Sequence, residues 1–471
     1  MTTGHSLEQL VQGTDDLVAH LRNLPTDTWE FIGVPSEFTN WRAEQVAGHE
    51  SAVLLHQGHM RHPLSEFYVQ GPDAFRLLNH LGTNSFSNFK PGMAKQYIVC
   101  NEHGYLIGDC ILFYLEENKF ALLGAMVIAS WVKYQAAKGS YDVAFAHHDV
   151  VETASGETRV QAYYQFQIQG PNAKALFTKL NGGVYPDIKF FRLGDITIAG
   201  RPVRCLSHSM LGEPGLECWF PLEWREEVMA AIVAAGEEFG LKQVGTRTYP
   251  TQTLESGWMG MPLPAIYAGE AMKAYREYLP ADSFEAWFSI GGSFVGDRIE
   301  DYYYTPYEMN YGNFVKFDHG FIGRAALEAM KDQPHGRKVT LEWNREDVAR
   351  LLASYAGDDG DLPFKYFDMP WAPYAMVQCD RVSKDGRIVG RSADVGYSHY
   401  VRGVLSLAVV DPDIAIGDEV VVTWGEENGG TRKNSVERHR QIDIRAIVRT
   451  APYTSVAREQ YHSAGWRAQA A

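Results

Sequence analysis

Apolar positions recur at helical spacing in the first segment, at Leu7, Leu10 and Val11 and again at Leu17 and Leu21, and Pro25 closes the run. Thr28–Trp41 then sets Trp29, Phe31, Phe38 and Trp41 beside Gly33 and Pro35, an aromatic extended lead-in able to lie over a pocket as a lid. An internal echo follows: Phe67-Tyr-Val-Gln-Gly-Pro-Asp-Ala at 67–74 returns as Phe166-Gln-Ile-Gln-Gly-Pro-Asn-Ala at 166–173. Each copy predicts a short strand, a Gly turn, Pro at the first helical position, and a helix carrying Phe75, Leu77 and Leu78 or Leu176, Phe177 and Leu180. Two related α/β halves are the natural reading.

Between the copies, Gln96–Cys100, Leu106–Leu115 and Phe120–Leu123 read as strands and Met126–Ala137 as a helix. After the second copy, Ile196–Ser207 and Gly215–Phe220 read as strands, and Arg225–Gly240 as a helix stopped by its glycine. From Lys338 the texture changes to short strands, Val339–Trp343, Met376–Cys379, Val404–Val410 and Glu419–Trp424, punctuated by Asp385-Gly386 and Gly429-Gly430. That spacing predicts a separate all-β barrel or jelly roll, with a boundary near 333–336. The fold class expected is α+β.

A chain of 471 residues with 45% hydrophobic content is too long for one core and suits two to four domains. Its 25 Tyr, 23 Phe and 11 Trp favour stacking surfaces for flat ligands, although most such rings fill cores. A net charge of −15 argues against nucleic acid or an anionic membrane as partner, so an anionic substrate would have to be held by a few local cations. The five cysteines, Cys100, Cys110, Cys205, Cys218 and Cys379, form no C-x-x-C pair and suit reduced thiols. Residues 1–23 lack an apolar signal core, and the longest apolar run, Phe120–Trp131, is too short to span a bilayer; a cytoplasmic location is the expectation.

His56-x-x-His59-x-x-His62 has the spacing of a metal site, but Gly58 and Pro63 break a regular helix there and no acid completes the set. No Cys-x-His with Cys-x-x-His exists for a Rieske cluster. Gly291-Gly-Ser-Phe-Val-Gly296 resembles a phosphate loop superficially, since Asp297 stands where the lysine belongs. Asp109 and Glu217 are acids inside apolar strands, and a buried carboxylate needs a partner or a function. Capping of a hairpin turn after Gly108 would explain Asp109 equally well. Val244–Trp258, VGTRTYPTQTLESGW, shows no periodicity and is rich in donors, so it reads as a connection that can carry functional groups. A polar loop with a buried Trp is the plainer explanation of that stretch taken alone.

Four stretches occur together in order: Asp109 in G-D-x-I, G-E-x-G-x-E at Gly212–Glu217, G-x-R…L-E-x-G at Gly245–Gly257, and Phe314-Val-Lys-Phe…Phe321-Ile-Gly-Arg-Ala-Ala-Leu327. With them the chain resembles the folate-dependent aminomethyltransferases, the glycine-cleavage T-protein family, along nearly its whole length. Stretches such as Thr253-Leu-Glu-Ser-Gly-Trp, Ile290-Gly-Gly-Ser-Phe and Trp424-Gly-Glu-Glu-Asn-Gly-Gly-Thr-Arg-Lys resemble, within that family, the tetrahydrofolate-dependent O-demethylases of methoxybenzoates.

The resemblance implies three domains around a central folate channel: residues 1–62 with 155–250, 63–154 with 251–335, and 336–471. It implies Glu217 on the amino-pyrimidine edge of the pterin, where a carboxylate accepts two parallel N–H bonds, with Gln167, Trp258 and Arg247 also at the cofactor. Asp109 takes the place of the family's key acid. Its F-D-x-S-H-M stretch appears here as Leu55-His-Gln-Gly-His-Met60, which brings in Gln57. Against the vanillate pattern, Trp29 and Phe31 replace tyrosines, Met60 a histidine and Ala125 an arginine, so the substrate pocket, to which Trp287 is added, is more apolar and favours a second methoxy group as on syringate.

The chemistry implied is methyl transfer from an aryl ether to N5 of tetrahydrofolate, with 3-O-methylgallate as product. Phenoxide leaves poorly, and Tyr249, protonated at neutral pH with an ordinary pKa of about 10, is the expected proton donor. Arg247, His59 or Arg61 would hold the benzoate carboxylate. A vanillate or 3-O-methylgallate O-demethylase, or an aminomethyltransferase or dimethylglycine-type enzyme, is the alternative within the fold; a non-catalytic folate-binding regulator is the alternative outside enzymes.

Overall fold

The computed structural model describes residues 6–26, 34–57, 65–124, 126–148, 162–357, 361–430 and 432–460. A strand β1 (Ala52–Leu55) precedes two passes through one chain order of strand, helix, three-strand meander, helix and strand. The first pass is β2 (Ser65–Gln70), a helix at Ala74–Leu81, β3 (Met93–Cys100), β4 (Leu106–Glu116), β5 (Lys119–Gly124), a helix at Met126–Gly139 and β6 (Ala144–His148). The second is β7 (Tyr163–Gln169), a helix at Ala173–Leu180, β8 (Leu193–Ile198), β9 (Arg201–Ser207), β10 (Gly215–Pro221), a helix at Arg225–Gly236 and β11 (Leu241–Val244).

The sheets run β3-β4-β5-β2-β6 and β11-β1-β7-β10-β9-β8. They differ by β1, which enters the second sheet between β7 and β11, antiparallel to the former and parallel to the latter.

The Gly-Pro turns repeat as geometry. Gly71 and Gly170 take φ of +134° and +129°, and a Cβ on either would lie 2.5 Å from the Asp142 carbonyl oxygen or 2.6 Å from that of Ser51. Only glycine fits such a close backbone approach. The helices begin at Ala74 and Ala173, so each proline stands before the helix rather than at its first position, and Asp73 and Asn172 become the N-caps. The expected single strand at Ile196–Ser207 is a hairpin, turned by Ala199 and Gly200, both at positive φ.

Helices cover the outer face of each sheet. Tyr164, Phe166 and Ile168 pack there with Leu176, Phe177, Val228 and Ile232, each apolar side chain contributing roughly 1.5–3 kcal/mol relative to exposure. The inner faces meet each other through Ala94, Phe113, Leu123 and Leu206, with Phe113 and Trp219 in edge contact at 5.3 Å. The edges of β3 and β8 are also joined, by Ala94 N–H to the Phe191 carbonyl at 3.0 Å and Leu193 N–H to that of Gly92 at 2.9 Å.

After β12 (Ile290–Gly291), the rest of the chain supplies β13 (Arg337–Trp343), β14 (Val377–Gln378), β15 (Asp380–Lys384), β16 (Arg387–Ser398), β17 (Gly403–Val410), β18 (Glu419–Trp424) and β19 (Ile442–Thr450). Six of these close a barrel in the order β13-β17-β16-β15-β18-β19, filled by Trp343, Phe367, Val382 and Trp424. The expected barrel strand at Met376–Cys379 lies outside it: β14 pairs in parallel with β12. The glycine loop at 291–296 is the seam beside that ladder. Gly292 N–H donates to Glu426 at 2.8 Å, Ser293 N–H to Asp380 at 3.0 Å, and the buried Lys365 ammonium neutralises Glu426 at 2.7 Å. With Phe294 N–H on the Cys379 carbonyl and Gly296 N–H on the Tyr302 hydroxyl, these amides are committed to the protein's own acceptors. Among the described residues no helix is long and apolar enough to cross a membrane.

Candidate active site

β7 reads Tyr-Tyr-Gln-Phe-Gln-Ile-Gln, and both of its faces are buried. The odd positions, Gln165, Gln167 and Gln169, therefore point amides into the space between the sheets, where each unpaired polar group costs a few kcal/mol. Gln169 is spent on structure: its carbonyl oxygen gathers Ser209 Oγ and the Met210 and Leu211 N–H groups, and its amide donates to Gln252 at 2.8 Å. Gln165 donates to Glu217 Oε1 at 2.6 Å. Gln167 stands directly across from Glu217 in the ladder and donates to the His208 carbonyl at 3.3 Å, while its own Oε1 is buried without a partner. His208 Nδ1 lies 3.3 Å from Glu217 Oε2. Each carboxylate oxygen retains a lone pair, and across the ladder Gln167 Oε1 is a buried acceptor with no donor.

Tyr249 is brought alongside by a turn that hangs on one carboxylate. Glu44, buried in the helix Trp41–Glu50, accepts the N–H groups of Phe38 and Thr39 at 2.8 and 2.9 Å, that of Gly245 at 2.9 Å and the Thr248 hydroxyl at 3.1 Å. Pro250 then caps a short buried helix, Thr251–Ser256, which Gly257 ends in the left-handed region. The stretch expected to be a polar connection is thus packed interior. Glu255 joins it to the barrel, accepting from Ser398 at 2.7 Å and pairing with His49 at 2.5 Å.

Burial pushes the Tyr249 phenol well above its ordinary value, the Gln57 amide bonded to it works in the opposite direction, and the nearby Glu217 raises it further. The tyrosine is protonated at any working pH and is a weaker acid than the sequence suggests. Gln57 Oε1 is another buried acceptor without a partner.

Asp109 lies on the inner face of β4, on the same side as Phe113, just as Glu217 shares a side with Trp219 on β10. The two acids therefore look into one space from opposite sheets. Oδ2 of Asp109 accepts from the Gln96 amide, from Trp258 Nε1 at 3.3 Å and from the Tyr311 hydroxyl at 3.3 Å. Burial raises its pKa to about 6, against these bonds and the Lys338 ammonium, which pull it down. Trp258 turns its indole N–H to the acid, so the ring is fixed by Asp109.

Arg247 is engaged away from these groups, with Glu37 at 2.9 Å and the Met369 carbonyl, its guanidinium over the Trp41 ring. Trp287 is 49% exposed, its indole N–H 3.4 Å from the Asp282 carbonyl. His56 uses both ring nitrogens, accepting from the Tyr164 hydroxyl at 2.6 Å and donating to Gln243 at 2.9 Å. Trp29, Phe31, His59, Met60, Arg61, His62 and Ala125 lie outside the described residues. Among the described residues no group of His, Cys, Asp or Glu is arranged to hold a metal ion.

The residues that sequence reasoning passed over are Gln165, Gln96, Tyr311, Lys338, His208 and Glu44. A signal for the first was present, since Gln-Phe-Gln-Ile-Gln alternates polar and apolar in a strand flanked by buried segments.

Residues 26–262 match the GCVT N-terminal domain. The chain belongs to this family. It is 45% identical over 467 residues to the syringate O-demethylase of Sphingobium sp. (strain NBRC 103272 / SYK-6), covering 99% of both proteins. It is 29% identical over 442 residues to the sesamin methylene transferase of Sinomonas sp. (strain No.22), covering 89% of this chain and 94% of that one. The aminomethyltransferase T of the glycine cleavage system from Bartonella henselae superposes with a TM-score of 0.59 at 16% identity, over 92% of this chain and 96% of that chain, so the GCVT member has the aminomethyltransferase fold.

Proposed function

We propose that this GCVT member is a tetrahydrofolate-dependent O-demethylase that moves a methyl group from a methoxybenzoate, syringate favoured, to N5 of tetrahydrofolate, giving 5-methyltetrahydrofolate and 3-O-methylgallate. The observation that carries the reading is end-to-end likeness to a syringate O-demethylase, 45% over 99% of both chains. The site fits the cofactor. A pterin's amino-pyrimidine edge offers N–H donors, and Glu217 with the partnerless Gln167 Oε1 offers buried acceptors on adjacent strands. Tetrahydrofolate, when bound, supplies the nucleophilic nitrogen that takes the methyl group.

The chain's residues do the rest. Glu217 and Gln167 hold and orient; Gln165 and His208 keep Glu217 in place. Tyr249 donates its proton to the ether oxygen as the methyl–oxygen bond breaks, the Gln57 amide stabilises the phenolate left on Tyr249, and the proton that the methylated nitrogen would shed restores the neutral tyrosine. Asp109, held by Trp258 and Tyr311, carries or releases a proton near pH 6 on the opposite wall. Trp29, Phe31, His59, Met60, Ala125 and Trp287 are assigned to the aromatic substrate by resemblance, with His59 or Arg61 for the carboxylate. The protein is read as cytoplasmic, monomeric or homodimeric, and acting on a small aromatic acid.

The test is a panel: protein and tetrahydrofolate with syringate, vanillate, 3-O-methylgallate and dimethylglycine, following 5-methyltetrahydrofolate and released phenol by chromatography. The reading requires equal amounts of both products, fastest from syringate. Faster turnover of vanillate would change the substrate assignment, and consumption of only the amine would replace the reading with an aminomethyltransferase.

A further inference from the structure

Along β13 the residues Val339, Leu341 and Trp343 fill the barrel, so Lys338 and Thr340 face outward. An outward lysine on a barrel normally reaches water. Lys338 is instead 7% exposed, with Nζ 5.1 Å from the centre of the Tyr311 ring, whose hydroxyl binds Asp109. A buried ammonium costs several kcal/mol unless charges or hydrogen bonds compensate. Among the described residues it makes no direct ion pair, yet two carboxylates act on it, Asp109 and Asp394.

Asp394 sits at a local irregularity. β17 lies between β13 and β16, and the β16–β17 ladder slips between Ala393 and Val395, leaving Asp394 without a partner in the register. Such a bulge re-aims a side chain.

We propose that Lys338, balanced by Asp394 across β17, is a positioning residue that sets the proton occupancy of Asp109; its importance to catalysis rests on the O-demethylase reading above. The cluster is built so that three groups share their charge. Burial lifts Asp109 and Asp394 each to about 6 against the pull of the Lys338 ammonium, and lowers Lys338 to about 8 against the pull of the two carboxylates. Around Asp109 stand Gln96, Trp258, Tyr311 and Cys110; Asp394 acts on the buried Tyr304, on which Arg391, Cys379 and Glu308 also act. Arg391 is tied to the Asp301 and Tyr303 carbonyls. Lys338 is the cation that acts on both acids.

The experiment is an infrared pH titration of the folate-free protein, reading the protonated-carboxyl band that disappears in Asp109→Asn. In Lys338→Met the band should persist to higher pH, its midpoint rising by about tenfold in proton affinity or more, because a neighbouring cation has been removed. Lys338→Arg should restore the wild-type midpoint, and Asp394→Asn should lower it by removing a like charge. The acid limb of the turnover–pH profile should move with the band. If Lys338→Met and Asp394→Asn both leave the midpoint in place, the inference is wrong. Should Lys338→Met not fold, Asp394→Asn decides alone. Because the band is read without folate or substrate, its failure is distinct from a failure of methyl transfer, which would overturn the function and leave the charge cluster standing.

Discussion

Two buried carboxylates face each other across the interior, and their surroundings differ in kind. Glu217 is served from within one sheet: Gln165 comes from β7 and His208 from the segment after β9, and the region holds acceptors, Gln167 Oε1 and Gln57 Oε1, that no protein donor satisfies. Asp109 is served from three separated parts of the chain, with Gln96 on β3, Trp258 and Tyr311 on the long connection, and Lys338 on the barrel. A wall with acceptors to spare is suited to holding a ligand that brings N–H groups. One where three donors converge on a single oxygen, with an ammonium acting on it from the barrel, is suited to fixing a charge. The comparison separates binding from proton control, and it can be broken at either wall.

The largest effect is expected between the walls. Tyr249→Phe should reduce turnover by about a hundredfold or more with folate affinity nearly intact, since only the proton donor is lost. A wild-type rate of methyl transfer in a single-turnover experiment would remove Tyr249 from the chemistry. At the binding wall, Glu217→Ala should weaken tetrahydrofolate by roughly tenfold to a hundredfold, the worth of one or two hydrogen bonds to a charged group. Calorimetry reads this directly, and unchanged affinity would contradict the division of roles.

At the other wall the expectation concerns pH. Asp109 holds its proton more tightly in the folded protein, at about 6 against 3.8, so its stabilising contribution is complete below 3.8 and is lost as pH rises through 6. Wild type should therefore lose roughly 2–3 kcal/mol between pH 4 and pH 8 that Asp109→Asn keeps. Urea melts at the two pH values check this, and parallel losses in both proteins would place the charge elsewhere. The smallest effect is expected for Arg247→Ala. Its partner Glu37 is 26% exposed, and pairs open to solvent contribute about 1 kcal/mol or less. A change in substrate KM beyond about twofold would return Arg247 to the carboxylate-holding role that the sequence suggested.

The sequence made the repeat legible because Gly71 and Gly170 occupy backbone positions that only glycine tolerates, and the same tetrapeptide logic surrounds both. Asp109, Glu217 and Gln167 were legible as polar groups among apolar neighbours. Glu44 was hidden because a glutamate in an amphipathic helix looks solvated; only the fold shows four donors converging on it. Lys338 was hidden for a related reason, since a lysine alternating with Val339 and Leu341 has the pattern of an exposed strand face. β15 and β16 escaped because Val382, Val389 and Val395 are thinly spread among Arg, Ser, Asp and Gly, too sparse for a period-two signal.

The central claim, that a methyl group crosses from an aromatic ether to folate between these two walls, is tested most directly by one turnover with syringate carrying ¹³C in its methoxy carbons. Carbon NMR should show label leaving the methoxy resonance and appearing at N5-methyl of tetrahydrofolate, one equivalent per equivalent of 3-O-methylgallate. Label that stays on the ring, or leaves it as free methanol or formaldehyde with the folate unlabelled, would contradict the account.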